Sequence, residues 1–163
     1  MNDIIAKVSS YDIFTNLIPG AALVEFLSRS GIYEVDREKL LANLVIYYLV
    51  GLVISRFGAV VLEPFLKFLR IIRHDSYSDF IEASAKDLKI LTLLESTNLF
   101  RSLFTACLLA LLTLWLPIDG TSKPAHAGTL TWILGTLAFL FLLSYRKQNE
   151  FIRRRVRHAR AAK

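Results

Sequence analysis

From Pro124 to Tyr145 the chain carries no Asp, Glu, Lys or Arg; basic residues then crowd the segment that follows, Arg146-Lys147 and Arg153-Arg-Arg-Val-Arg-His-Ala-Arg160. At 1.5 Å of rise per residue, about twenty apolar residues cross a hydrocarbon core of roughly 30 Å as a helix with every backbone group satisfied internally. A segment of this kind fits poorly in an ordinary soluble domain. The composition agrees: 54% of the 163 residues are hydrophobic and 21% charged, and the mean hydropathy is +0.45, which is a membrane-protein balance.

Three further apolar stretches extend the pattern. Ser102–Ile118 is also uncharged and ends near Trp115, where an indole suits the interface. Leu40–Leu62 is long enough, although Arg56 interrupts it and Gly51 and Gly58 loosen it. Ile13–Leu27 is shorter, holds Pro19-Gly20 and Glu25, and either crosses as a kinked helix or lies in the interface. The expectation is an all-α membrane protein with four spans, at 13–27, 40–62, 102–118 and 129–145. Residues 1–145 then form the transmembrane domain, including a cytoplasmic helical segment at 67–101, and 146–163 form a basic tail. The first thirty residues lack the basic, apolar and small-residue sequence of a cleavable signal, so the apolar segments are expected to stay.

The 20 Lys and Arg outnumber the 14 Asp and Glu by six, and the excess lies mainly after Arg146, whereas Arg29–Lys39 and Pro117–Gly128 each balance to zero. By the positive-inside rule the C-terminus is cytoplasmic, and four spans place the N-terminus and Lys67–Arg101 on the same side. Asp79 and Glu82 have capping-box spacing, which predicts a helix starting at Asp79 and running into the third span, with Ile81, Leu88, Leu91 and Leu94 on one stripe. Thr121–Gly128 reads as a short external turn.

Charged and polar residues inside or beside the spans are the candidates for function, since a buried charge costs a few kcal/mol unless it is paired or lines an aqueous path. Arg56 lies about 20 Å of rise from Asn43, with Glu63 seven residues later on roughly the same face. Asp12 and Asn16 are expected at similar depth, and Glu95, Asn98 and Arg101 enter the third span nearby. Two roles fit this inner ring: a salt-bridge network packing the helices, or a gate. Pro19-Gly20 and Glu63-Pro64 are the two places where a helix can bend.

The tail admits three readings. Its cations set topology and touch anionic lipid; or its clustered guanidinium groups grip phosphate in two-pronged fashion, with Phe151 as a stacking platform for single-stranded nucleic acid or a nucleotide; or it meets an acidic partner. Catalysis is unsupported. His74, His126 and His158 are dispersed, Cys107 is alone in an apolar run, His74-Asp75 is an isolated pair, and no nucleophile, metal or glycine-loop motif is present, so no cofactor or metal is expected.

Taken in order, Tyr11-Asp-Ile-Phe-Thr-Asn-Leu-Ile-Pro-Gly20, Ser55-Arg-Phe-Gly58 with Glu63-Pro64, and Tyr77–Asp87 leading to Glu95 and Arg101 resemble the small bacterial membrane proteins of anti-phage defence operons. Among these, the chain is similar to the ion-channel effector subunits of Hailong systems. That resemblance implies an oligomeric inner-membrane channel, a homo-oligomer with a tetramer favoured, held shut by single-stranded DNA oligomers from a partner nucleotidyltransferase. Opening during infection depolarises the membrane. Extended to this chain, the phosphate contacts would come from Lys86, Lys89, Arg146, Lys147, Arg153, Arg154, Arg155, Arg157 and Arg160. The gating network would comprise Asp12, Asn16, Arg56, Glu63, Glu95, Asn98 and Arg101. A membrane adaptor that recruits a cytoplasmic enzyme through the same basic face, without ion flux, is the alternative; a transporter is disfavoured by the lack of internal symmetry.

Overall fold

In the computed structural model the last apolar run and the basic segment form one helix, α6 (Ala127–Ala161), so the tail continues the span without a break. The structure describes residues 2–72, 76–116 and 126–161, with side chains from Ile13 to Ala159 among them. These residues form helices and no strand: α1 (Asn2–Arg29), α2 (Leu40–Phe57), a π-helical turn (Gly58–Leu62), α3 (Glu63–Phe68), α4 (Tyr77–Lys86), α5 (Lys89–Trp115) and α6. The side chains of Asp12 and Arg160, the pair His74-Asp75 and residues 121–125 of the expected external turn lie outside the described residues.

Among the described residues three helices are long and apolar enough to cross a membrane: the continuous rod Leu40–Phe68, α5 and α6. α1 is long enough at 28 residues but is not among them, because Lys7, Asp12, Asn16 and Glu25 punctuate its apolar positions. It is nevertheless packed, lying against α2 and α5. Helix α5 is the hub, with 44% of its most apolar stretch buried within the chain against 6% for α6. Leu41, Val53 and Val60 on the α2 rod and Trp132 and Phe139 on α6 face outward.

Glycine sets how closely α1 and α2 approach. A Cβ on Gly20 would lie 1.8 Å from the carbonyl oxygen of Tyr47, and one on Gly51 1.8 Å from that of Asn16. Backbone therefore touches backbone, as small residues permit between apolar helices. Farther along this antiparallel pair the Tyr47 hydroxyl donates to Glu25 Oε1 at 2.6 Å, which gives the acid that interrupts α1 a partner. Pro19 is fully buried within a continuous α1.

The second proline acts differently. Pro64 has no N–H to offer the carbonyl four residues back, and the turn before it is π-helical, with the Glu63 N–H donating to the Gly58 carbonyl in an i→i+5 bond. Helix α3 then ends at once. Arg70 takes the left-handed conformation at φ 57°, and the Ile71 and Arg70 N–H groups donate to Leu66 and Lys67 carbonyls at 3.0 and 2.9 Å, a Schellman closure. It turns the chain so that Ile72 is buried beside Leu66, Phe104 and Tyr145.

The expected cytoplasmic helix is two helices, and the boundaries differ from expectation. Ser76, not Asp79, is the N-cap of α4: its hydroxyl accepts the Asp79 N–H at 3.3 Å. Asp87, extended at φ −129°, ends α4, and its Oδ1 accepts the Lys89 N–H at 3.0 Å as α5 begins. The break re-phases the stripe. Ile81, Leu88 and Leu91 are exposed, while Ala83 and Ile90 pack on Ile152 and Val156, with Phe80, Leu93 and Leu94 around them.

Candidate functional site

Two sites form at the end of the bundle where α3 stops, α5 starts and α6 turns from apolar to basic. The first is an ion cluster. Arg101 Nη1 donates to Glu63 Oε2 at 2.7 Å, and Lys67 Nζ stands 2.9 Å from Glu63 Oε1. Arg101 and Glu63 are 11% and 18% exposed, so this is a largely buried pair whose loss would strand a charge. Gly58 lets α5 come close enough: a Cβ there would lie 2.7 Å from Thr105 Oγ1 and 3.4 Å from Arg101 Cγ.

Around this cluster opens a cleft of about 480 Å³ between α3, α4, α5 and α6. Lys67, Arg101 and Arg153 supply cations to its wall, Asn98 and Asn149 amides, and Phe80, Leu94 and Ile152 apolar surface. Asn149 is buried and donates to the Tyr145 carbonyl at 3.0 Å. Arg101 Nε is buried with no acceptor at full hydrogen-bond geometry.

Of the residues expected in one inner ring, the structure brings together Glu63, Asn98 and Arg101, and adds Lys67. Glu95, half-buried, has partners of its own. Asn16 is elsewhere: it is buried against Gly51, twelve residues before Glu63 and about 18 Å away along the rod. Arg56 is also outside the cluster, exposed on α2 and in no ion pair among the described residues. Seven residues of regular helix would have put it on the Glu63 face; the wider π turn between them delays the rotation and swings Glu63 toward α5.

The second site is a basic face on the far side of α6. Lys89, Phe151, Arg154 and Arg155 line a cleft of about 510 Å³, and Lys86, Arg154, Arg155 and His158 an adjoining one of about 670 Å³. The structure thus collects Lys86, Lys89, Arg154 and Arg155 beside Phe151. Arg155 bonds Asp87 across 68 residues of sequence, tying α6 to the α4–α5 corner, and that guanidinium holds the Asp87 carboxyl below the usual carboxylate range. Arg153 goes to the other cleft, with its Nη1 3.3 Å from Glu150 Oε2. Arg154 also reaches Glu150 at 3.3 Å, and Lys147 sits 5.7 Å over the Phe151 ring. Arg146 and Arg157 are exposed, Arg157 with partners of its own.

Lys67, Asp87 and Asn149 belong to these sites although the sequence pattern alone does not single them out. Lys67 has a visible signal, four residues after Glu63 on a helix. Asn149 stands four residues after Tyr145 on the same helix, and nothing local points to Asp87. No family model, curated protein or solved structure matches the chain.

Proposed function

We propose that the chain is a subunit of a homo-oligomeric ion channel in a bacterial inner membrane, opened and closed by a polyanionic ligand on its cytoplasmic side. One observation carries this reading: α6 holds the apolar run and, without a break, the arginines that with Lys86 and Lys89 ring the clefts beside Phe151. A ligand gripping that end acts directly on a membrane helix. It shifts the gate by as much as it prefers one state, and bridging cations of neighbouring subunits favours the closed one. In this reading α1 is a fourth crossing, both termini are cytoplasmic, and the Glu63–Arg101–Lys67 cluster and exposed Arg56 lie near the inner mouth. The sequence resemblance supplies the ligand, a single-stranded DNA oligomer or nucleotide messenger from a partner nucleotidyltransferase, and the role, depolarisation in anti-phage defence.

The test is ion flux from liposomes containing the purified chain, with and without a single-stranded DNA oligomer. Flux that the oligomer blocks is expected. Changing Lys86, Lys89, Arg154 and Arg155 to Gln should relieve the block and flatten the salt dependence of binding, by about 0.7 in log–log slope for each phosphate no longer neutralised. Oligomer binding with no flux under any condition would leave an adaptor, and neither binding nor flux would end the proposal.

A further inference from the structure

We infer that the cleft enclosed by α3, α4, α5 and α6 is a binding site for a phosphate ester with an apolar or aromatic body, distinct from the basic face across α6. Its volume of about 480 Å³ lies in the range of small-molecule sites, where mostly apolar walls carry a few converging polar groups. Its wall holds Lys67, Arg101 and Arg153 against one carboxylate, Glu63, and even with Glu150 on Arg153 from beside the wall a net positive charge remains, so the lining favours an anion. The decisive group is Arg101. Its Nη1 is committed to Glu63 and its guanidinium also stands beside the Tyr145 hydroxyl. Its Nε, buried on the Gly58 side, has no acceptor at full hydrogen-bond geometry, and a buried guanidinium N–H left poorly paired is costly. A phosphate oxygen satisfies such a donor at fork geometry, and Lys67 adds a point charge.

The site also has a direction. Glu63 and Arg101 sit near Tyr145, which belongs to the core beside Phe104 and Ala138. Its apolar wall belongs to the next cluster outward, where Ile152 and Val156 meet Ala83. A bound ester would place its phosphate toward the apolar part of the bundle and its body along Phe80, Leu94 and Ile152. The phosphate can come from a soluble ester or from a phospholipid headgroup.

The probe is 1-naphthyl phosphate, titrated against the full chain in phosphatidylcholine nanodiscs, with 1-naphthol as control. Naphthyl phosphate should bind at least about tenfold more tightly than naphthol, the size of one charge-assisted contact. Arg101→Lys, which keeps the charge but loses Nε, should remove most of that preference. Should that variant fail to fold, Lys67→Gln at the half-exposed rim and Asn98→Phe, which fills the cleft, should each weaken binding several-fold. Lys86→Gln with Lys89→Gln should leave it unchanged, whether or not the channel reading holds. Displacement of the probe by added phosphatidylglycerol identifies a lipid source, and its persistence a soluble one; both support the site. Equal binding of phosphate and naphthol, or no loss with Lys67→Gln and Asn98→Phe, overturns it.

Discussion

Where α1 crosses α2, backbone meets backbone with no room for one methyl group at Gly20 or Gly51; where α3 meets α5, a guanidinium reaches a carboxylate beside a cleft of about 480 Å³. Both contacts join apolar helices, yet they fix them in different ways. Contact between main chains has no rotamers to rearrange, so that crossing is stiff. Contact between long side chains can be remade at another angle, especially next to open volume, so the cleft end has room to adjust.

The stiff crossing gives the largest expected effect. Gly51→Val places carbon atoms where the Asn16 carbonyl stands, and a main-chain carbonyl deep in α1 cannot swing aside. Overpacking of this kind costs about 3 kcal/mol, roughly a 10 °C fall in the detergent melting temperature for a chain of this length. Unchanged melting would mean that the two ends do not differ in this way. At the other end Arg101→Met removes a cation from Glu63. Because Lys67 remains, the loss should be smaller, about 2 kcal/mol by thermal unfolding. Adding Glu63→Gln should recover part of it, giving a coupling above about 1 kcal/mol in the double-mutant cycle. Additive losses would mean that the pair is not a unit.

How much of this contrast was legible in the sequence depends on whether periodicity carried it. The apolar runs at 40–62, 102–118 and 129–145 mark three of the helices without tertiary information, but not their full lengths, which reach 40–68, 89–115 and 127–161. Glu63 and Arg101 were readable as members of one polar ring, a packing network or a gate, because both enter apolar segments, but not as each other's partners. Arg56 was misplaced with them, since regular spacing assumes 3.6 residues per turn and a π turn next to Pro64 breaks that assumption. The stripe from Ile81 to Leu94 failed similarly, when Asp87 ended one helix and started another. Gly20 and Gly51 signalled small residues but not each other, and Arg155 with Asp87 depends on how α6 lies across the corner. The cleft itself is defined by four helices at once, so no local pattern announces it.

The corner contact offers a gentler probe of the adjustable end. Asp87 is held below the usual carboxylate range chiefly by its hydrogen bond from Arg155, and further by the Lys89 N–H. Its folded pKa is therefore lower than its unfolded one, so the contact contributes stability fully above the unfolded value, near 3.9, and loses it as pH falls through the folded value. Relative to the intrinsic exchange rate at each pH, hydrogen exchange of α4 amides should become faster, with protection falling, over that acid window in the wild type. Asp87→Asn should show the faster exchange at all pH values, without the acid step. An unchanged profile in the variant would detach α4 from α6.

The smallest expected effect compares the turns that close α1 and α3. Both are Schellman closures: Gly31 at φ 71° follows α1, with the Ile32 N–H on the Leu27 carbonyl at 3.0 Å, and Arg70 at φ 57° follows α3, with the Ile71 N–H on the Leu66 carbonyl at 3.0 Å. The left-handed conformation costs a residue with a Cβ roughly 1–2 kcal/mol, whereas glycine loses more chain entropy on folding, about 0.5–1 kcal/mol. Arg70→Gly should therefore raise stability by about 0.5 kcal/mol, and Gly31→Ala should lower it by a similar amount, both read as shifts in melting temperature. Were Arg70→Gly destabilising instead, the exposed arginine would be holding the adjustable end through its side chain, and the strain at φ 57° would serve the site rather than merely end a helix.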